Sequence, residues 1–203
     1  SQRNLCLHRT RSAPSALSAA AQRTALAMFY SVTLNPTLDR TMRFPRLVVG
    51  ELNRAARSRT DLSGKGVNVS RALRVFGIES VIMGFRAGAY GRILVEGLAK
   101  MGYDCDFVEV EGETRSNVTV IDESRGVTTK LNEPGPRVTD EDIQSLQKRL
   151  LGRIEQSDIC VFSGSLPLGA PVDTYARLIA AVASRGAETV LDTSGPALRR
   201  GCA

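Results

Sequence analysis

Two glycines that flank a lysine at the start of a helical pattern form the stretch with the clearest chemical potential in this chain. The stretch reads SGKGVNVSRALRVFG and covers residues 63–77. Glycines allow close backbone approach, the first turn of a helix presents free N–H groups, and a lysine adds positive charge. The pattern therefore predicts a cradle for an anionic or polar ligand, to which Gly64, Lys65 and Asn68 contribute. A glycine-rich helix entry without a ligand is the alternative.

This stretch does not have the sequence of a nucleotide phosphate loop. Such a loop requires GxxxxGK followed by Ser or Thr, whose hydroxyl coordinates magnesium. Here Gly66 follows Lys65, and Arg59 stands where the first glycine belongs. The nucleotide interpretation therefore fails, whereas binding of another anion or polar ligand stays open.

Other polar residues stand where predicted strands end or where extended segments begin. Asp39 in TLNPTLD offers a carboxylate to sugar hydroxyls, although aspartate after proline is also a common turn residue. Arg115 in ETRSN has a planar fork suited to phosphate, with a solvated surface arginine as the alternative. Ser165 in VFSGSLPLG ends a buried strand, and Asp192 in DTSG repeats this arrangement at the next one. The single histidine, His8, lies within residues 1–27, far from these motifs in the sequence. No histidine base is therefore expected to activate a serine.

Composition argues against several other classes of protein. The net charge is +6, but residues 1–27 hold four arginines and no acid, which leaves 23 basic and 21 acidic residues, or +2, beyond them. No basic face interleaved with aromatic residues is present, so we expect no nucleic-acid partner. No apolar run is long enough to cross a bilayer, so we expect a soluble protein without a membrane partner. The four cysteines are scattered, which predicts no metal site and fits the cytoplasm.

Strand-like apolar runs alternate with amphipathic helical patterns from Met28 onward. This alternation predicts an α/β fold with a parallel sheet covered by helices on both faces. Its strands are expected at residues 29–34, 80–85, 158–165 and 188–195, and helices at residues 91–102, from Thr139, and at residues 171–185.

Two segments interrupt the alternation. Residues 41–62 and 114–131 read as short extended segments, the second as a hairpin that turns near residues 123–126. They predict a small β lid over the carboxyl ends of the strands, where ligands of open α/β sheets bind. Ordinary surface hairpins are the alternative. Residues 1–27 are rich in Ser, Ala and Arg and are interpreted as disordered, either a leader or upstream sequence outside the folded protein.

Seven motifs occur together and in order, and in this combination the chain resembles the PfkB family of ribokinase-like sugar kinases. Within that family it is similar to the branch of the 1-phosphofructokinases and tagatose-6-phosphate kinases. The resemblance implies a ribokinase-like, Rossmann-type fold in which the glycine-rich stretch contacts a phosphosugar rather than ATP. Ser63, Ser116 and Leu168 depart from the usual family sequence. The motifs are TLNPTLD, GELNRA, SGKGVNVSRAL, GETRSNV, LNEPGP, SGSLP and LDTSG.

The resemblance also implies a role for each matching residue. Asp39 would bind sugar hydroxyls, and Arg115 would hold the substrate phosphate. Ser165 would touch the same ligand, and the sugar-phosphate pocket would be lined by Gly64, Lys65 and Asn68. The β lid would also join two subunits into a homodimer.

The family's catalytic aspartate and ATP site belong to motifs that do not occur in these residues, so no catalytic residue and no metal ligand is assigned. We therefore expect an N-terminal portion of the kinase domain, with the C-terminal half missing and no activity alone. The complete enzyme would use ATP and Mg²⁺ to convert fructose 1-phosphate to fructose 1,6-bisphosphate. The alternatives are tagatose-6-phosphate or 6-phosphofructokinase activity, or a non-catalytic module that binds sugar phosphates.

Overall fold

The computed structural model describes residues 6–8 and 27–203. The predicted alternation of strands and helices is present along this part of the chain. In chain order, the elements are β1 (Cys6–His8), β2 (Phe29–Thr33), β3 (Thr37–Phe44), β4 (Arg57–Ser63), α1 (Lys65–Val75), β5 (Ser80–Ala87), α2 (Gly88–Lys100), β6 (Asp104–Val110), β7 (Arg115–Asp122), β8 (Val127–Leu131), α3 (Asp140–Arg153), β9 (Ile159–Ser163), α4 (Thr174–Ala183), β10 (Glu188–Asp192) and α5 (Gly195–Gly201).

The main sheet has the strand order β1-β10-β9-β2-β5-β6. Every pair from β10 to β6 is parallel, as predicted, and β1 pairs antiparallel with β10, with Cys6 opposite Leu191. A short strand therefore covers the β10 edge, and it comes from the segment that the sequence interpretation left outside the fold. The other residues of 1–26 lie outside the described part, so the interpretation of that segment stays a prediction.

Helices pack on both faces of the main sheet because successive strand residues point to opposite sides. On β5, Val81 and Met83 belong to one apolar cluster, which α3 and α4 cover. Ile82 between them belongs to a second cluster, formed with Val67 of α1 and with Leu94 and Leu98 of α2. The predicted α/β fold with a two-sided parallel sheet is thus confirmed.

A second sheet with the order β4-β3-β7-β8 stands apart from the main one. It contains the two segments predicted as a lid, and β7 and β8 form a hairpin whose turn covers residues 123–126, as expected. Strand β3 starts at Thr37, earlier than the segment expected from residue 41. The reason is that the chain enters β3 directly after the turn at Asn35–Pro36. Leu38 and Leu62 anchor this second sheet to the cluster around α2.

Local sequence signals account for two helix boundaries. Thr139 caps α3 through a capping box in which its hydroxyl accepts from Asp142 N and the Asp142 carboxylate accepts from Thr139 N. The helix predicted from residue 171 begins only at Thr174, since residues 171–173 form a turn in which the Thr174 hydroxyl donates to Pro171 O at 2.6 Å. Within the described residues, no helix combines the length and apolar character that a bilayer crossing requires.

Candidate acceptor site

The glycine-rich stretch connects the second sheet to the main one. Ser63 ends β4, Gly64 precedes α1, and α1 begins at Lys65. Gly64 has φ +148°, and a Cβ there would lie 3.0 Å from Thr33 Oγ1 and 3.2 Å from Pro36 Cα. Glycine is therefore required at this position by the close approach to the end of β2, whether or not a ligand binds.

Strands β3 and β7 bring an aspartate and an asparagine together. Asp39 stands opposite Asn117 in the parallel register, and Asn117 Nδ2 donates to Asp39 Oδ1 at 3.1 Å. Thr37 Oγ1 donates to the same carboxylate oxygen at 3.3 Å. Asp39 was expected just beyond the first strand, at the edge of the main sheet. Instead it lies within β3, where neighbouring side chains fix its orientation.

Arg115 opens β7 and lies across the turn after β2. Its Nη2 donates to Asn35 O at 2.9 Å, and its Nη1 donates to Glu133 O at 3.4 Å. Burial lowers the pKa of Arg115, and the nearby Asp39 carboxylate opposes that shift. A guanidinium group stays charged in proteins, so the site holds a partly buried positive charge beside a carboxylate.

Three buried polar atoms in the described residues lack a hydrogen-bond partner, and all three belong to this neighbourhood. They are Asn35 Oδ1, Arg115 Nε and Asn117 Oδ1. Asn35 follows β2, while Arg115 and Asn117 lie two residues apart and so on the same face of β7. Buried polar groups normally find partners, so a group of unsatisfied donors and acceptors is consistent with a polar ligand at this place.

The carboxylate also lines an open cavity of about 480 Å³ on the same face of the second sheet. Asp39 and Asn117 line it together with Asp61, Ser63 and Arg71. The cavity therefore reaches the start of the glycine-rich stretch at Ser63. A cavity of similar volume, about 450 Å³, lies near Tyr103 and includes none of the candidate residues.

Lys65 lies beside the residues that follow β9, where Ser165 is also found. The Lys65 stem passes over Gly164, since a Cβ on that glycine would lie 3.3 Å from Lys65 Cβ and Cγ. Two hydroxyl groups hold the Gly164 carbonyl, Tyr175 Oη at 3.0 Å and Thr193 Oγ1 at 2.8 Å. Ser165 itself is exposed and lines a separate cavity of about 240 Å³ that includes Thr193.

The predicted site residues thus form two groups joined by the turn after β2. Asp39 and Arg115 belong to the second sheet, and Lys65 and Ser165 lie at the carboxyl end of the main sheet. Gly64 touches the turn at Pro36, and Arg115 binds its Asn35 carbonyl. Asn68 is exposed in the first turns of α1, which begins at this same edge.

Sequence reasoning missed Asn35 and Asn117, although both stood within quoted motifs. Asn117 follows Arg115 by two residues in TRSN, and strand alternation places such residues on one face. Asn35 precedes Pro36 and directly follows the strand expected at residues 29–34. Its buried side chain donates through Nδ2 to Pro134 O at 2.9 Å, a contact across 99 positions that sequence pattern alone does not reveal.

Known proteins with related sequences and structures include several sugar-phosphate kinases. The chain is 36% identical over 171 residues to the 1-phosphofructokinase of Bacillus subtilis, covering 84% of this chain and 55% of that protein. It is 32% identical to the tagatose-6-phosphate kinase of Staphylococcus epidermidis, covering 84% and 54%. Phosphofructokinase-2 from Escherichia coli in complex with fructose-6-phosphate superimposes with a TM-score of 0.80 at 30% identity, covering 86% and 57%. That enzyme is also known in a tetrameric inhibited form.

The chain spans just over half the length of these relatives. Its residues 32–202 match the pfkB family carbohydrate kinases, over a range that includes all of the candidate residues. The match agrees with the motifs, with the two-sided parallel sheet and with the second sheet beside it. On these grounds, this chain belongs to the pfkB family of carbohydrate kinases.

Proposed function

We propose that this chain is the acceptor-binding part of an ATP-dependent sugar-phosphate kinase whose substrate is fructose 1-phosphate. The observation that carries the proposal is the group of unpartnered polar atoms on Asn35, Arg115 and Asn117, next to the Asp39 carboxylate. A phosphorylated ketose offers hydroxyl groups and a phosphate to such a group. The identity of 36% to a 1-phosphofructokinase, compared with 32% to a tagatose-6-phosphate kinase, favours this ketose over the alternatives.

Each candidate residue has a role in this proposal. The Asp39 carboxylate accepts hydrogen bonds from two sugar hydroxyls, while Asn117 holds it in position. Arg115 binds the substrate phosphate through its fork, in which Nε still lacks a partner. Gly64, Lys65 and Asn68 line the sugar-phosphate pocket where α1 begins, and its free N–H groups favour an anion. Ser165 donates to the same ligand.

In the proposed reaction, the acceptor hydroxyl at C6 would lose its proton to a catalytic base outside these residues and would form a bond to the γ-phosphorus supplied by ATP. The bond from that phosphorus to the bridging oxygen breaks, and ADP leaves. Catalysis of such transfers rests on positioning and on stabilising charge. This chain contributes the positioning, because its backbone-bonded Arg115 and its paired Asp39 are already held in place.

ATP and Mg²⁺ would be held elsewhere in the complete enzyme. Over residues 6–8 and 27–203, the structure has no group of three or more His, Cys, Asp or Glu side chains that would hold a metal ion. We propose that the ATP site and the catalytic base belong to a C-terminal half, and we expect no turnover from these 203 residues alone.

A comparison of three substrates tests the proposed function. The kcat/KM of the intact protein would be measured with fructose 1-phosphate, tagatose 6-phosphate and fructose 6-phosphate, following ADP release. We expect the highest value with fructose 1-phosphate. A preference for either 6-phosphate would transfer the assignment to that kinase activity, and saturable binding without any ADP would favour a non-catalytic module.

The second sheet would act as a lid and as the contact between two subunits. One face of the second sheet carries Asp39, and the other face is partly apolar. This other face carries Met42, Val118, Val120 and Leu131, of which Leu131 is 57% exposed. We propose that a second copy of the complete enzyme covers this face in a homodimer. Leu131→Asp should convert the dimer to a monomer in light scattering, whereas an unchanged mass would exclude this surface as the interface.

A further inference from the structure

The outer half of the second sheet carries three arginines on one face. Arg43 of β3 stands directly opposite Arg57 of β4, and Arg59 lies two residues further along β4, opposite Thr41. Strand alternation points all three guanidinium groups to the same side as Asp39. With Thr41 and Ser58, they line an open cavity of about 350 Å³. We call these three residues the arginine cluster.

The arginine cluster is only partly neutralised by the protein. Arg59 Nε lies 2.8 Å from Asp61 Oδ2. Arg43 Nη1 lies 3.6 Å from Glu123 Oε1, and the side chains of Arg43 and Glu123 are each 49% exposed. Arg57 makes no ion pair and no side-chain hydrogen bond within the described residues. Like charges directly opposite each other on neighbouring strands destabilise a sheet. The pair of Arg43 and Arg57 therefore has a cost that a bound anion would remove.

The wider sequence around the cluster is also strongly basic. Residues 40–59 contain six arginines and a single acid, Glu51. Not all six face the cavity: Arg40, for example, lies on β3 between Asp39 and Thr41 and so points to the opposite face of the sheet. The convergence on one cavity is therefore a property of the arginine cluster and not of overall charge.

We propose that the arginine cluster binds the phosphate groups of a small phosphorylated molecule, at a site distinct from the one around Arg115. Guanidinium forks match phosphate oxygens through paired hydrogen bonds, and the Thr41 hydroxyl, on the same face, adds a further donor. The cavity is concave and has no aromatic lining on which nucleic-acid bases would stack. A compact anion with two or more charges fits this lining best.

The new site adjoins the acceptor site. Thr41 and Arg59 line both the 350 Å³ cavity and the 480 Å³ cavity that contains Asp39. An anion on Arg59 competes with Asp61 for the same guanidinium, so occupancy here changes the charge that faces the acceptor cavity. This consequence rests on the proposed function, whereas binding of the anion itself does not.

Titration calorimetry with inorganic tripolyphosphate, at low ionic strength, tests the proposal on this chain. The probe is tested against wild type, Arg57→Gln, Arg59→Gln and Arg115→Gln, with Arg40→Gln as the matched control for a lost charge on the opposite face. We expect Arg57→Gln and Arg59→Gln each to weaken one binding event by about tenfold, as for a lost charge-assisted hydrogen bond. Arg40→Gln should leave it within about twofold, and Arg115→Gln should leave it in place.

Several outcomes would overturn the proposal. They are the absence of saturable binding, an equal loss in Arg40→Gln, and loss of all binding in Arg115→Gln. The last would mean that the probe occupies the acceptor site instead. Binding of anionic vesicles or of an oligonucleotide that depends on Arg57, without binding of tripolyphosphate, would also overturn it. Arg57→Lys, which keeps the charge, provides a second variant if the glutamine variant does not fold.

Discussion

Gly66 gives a sharp stability prediction because its surroundings are rigid. A methyl group on this residue would lie 2.9 Å from Thr33 Cβ, 3.2 Å from Thr33 N and 3.2 Å from the Val32 carbonyl carbon. These are backbone atoms and the first side-chain carbon of β2, so no side-chain rotation relieves the contact. In Gly66→Ala, helix α1 must therefore move away from the main sheet.

The expected magnitude follows from two opposing effects. Alanine in a helix interior is favoured over glycine by about 1 kcal/mol, and by less at the second position of a helix. Insertion of a methyl group into a well-packed contact costs about 1–3 kcal/mol. We therefore expect Gly66→Ala to lower the free energy of unfolding by about 1–2 kcal/mol. Gly152→Ala in α3 is the matched control, because nothing beyond its chain neighbours and its own helix backbone lies within 4 Å of its Cβ position.

Urea denaturation followed by circular dichroism measures both variants. The midpoint should fall for Gly66→Ala, and it should stay the same or rise for Gly152→Ala, since that methyl group is accommodated and favours the helix. The movement of α1 should also displace Lys65 and Asn68. If Gly66→Ala is as stable as Gly152→Ala, the close packing of α1 on β2 is refuted.

Three further predictions concern single groups. Thr139→Ala removes one side of a capping box and should lower the free energy of unfolding by about 1 kcal/mol. Thr139→Ser keeps the hydroxyl and should not lower it. Equal losses in the two variants would exclude the cap. Tyr175→Phe should cost about 0.5–1.5 kcal/mol in thermal unfolding because the hydroxyl donates to Gly164 O, and a variant of wild-type stability would rule that bond out. Burial, with a smaller effect of Asp104, raises the pKa of Cys105 to about 11. The contribution of the protonated Cys105 thiol to the free energy of unfolding is fully present below the unfolded pKa of about 8.5. This contribution is lost as pH rises toward 11. Iodoacetamide should therefore alkylate Cys105 at pH 8 on the order of a hundredfold more slowly than free cysteine, as peptide mapping would detect, and a free-thiol rate would contradict this.

Local patterns were sufficient to predict the main architecture. Strand and helix periodicity along the chain indicated a parallel sheet with helices on both faces, and Thr139 marked the start of α3. These features depend on short-range chemistry, which a sequence displays directly. The start of α4 was wrong by three residues because the turn at residues 171–173 satisfies its own hydrogen bonds before the helix begins.

The arrangement of the candidate site was less accessible from the sequence. Asp39 was identified as a residue that follows the end of a strand, and Arg115 as one that opens an extended segment. Their common sheet depends on the register between β3 and β7, which lie far apart in the chain. The glycines of SGKG were interpreted through ligand approach, whereas Gly64 and Gly66 are both required by contacts with Thr33. Packing between α1 and β2 therefore explains why these two positions are glycines, which the local motif alone did not reveal.

We propose that Arg115 binds the phosphate of a phosphorylated ketose while Asp39 binds its hydroxyls. Calorimetry on the intact protein with fructose 1-phosphate tests it, comparing wild type with Arg115→Gln. Arg125→Gln serves as the control, because Arg125 is exposed in the turn at the far end of the second sheet and pairs only with Asp122 among the described residues.

We expect Arg115→Gln to weaken binding of fructose 1-phosphate by about ten- to a hundredfold, the loss for hydrogen bonds between charged groups. Binding of unphosphorylated fructose should be unaffected, and Arg125→Gln should behave as wild type. Undiminished affinity of Arg115→Gln for fructose 1-phosphate, in a folded protein, would contradict the account.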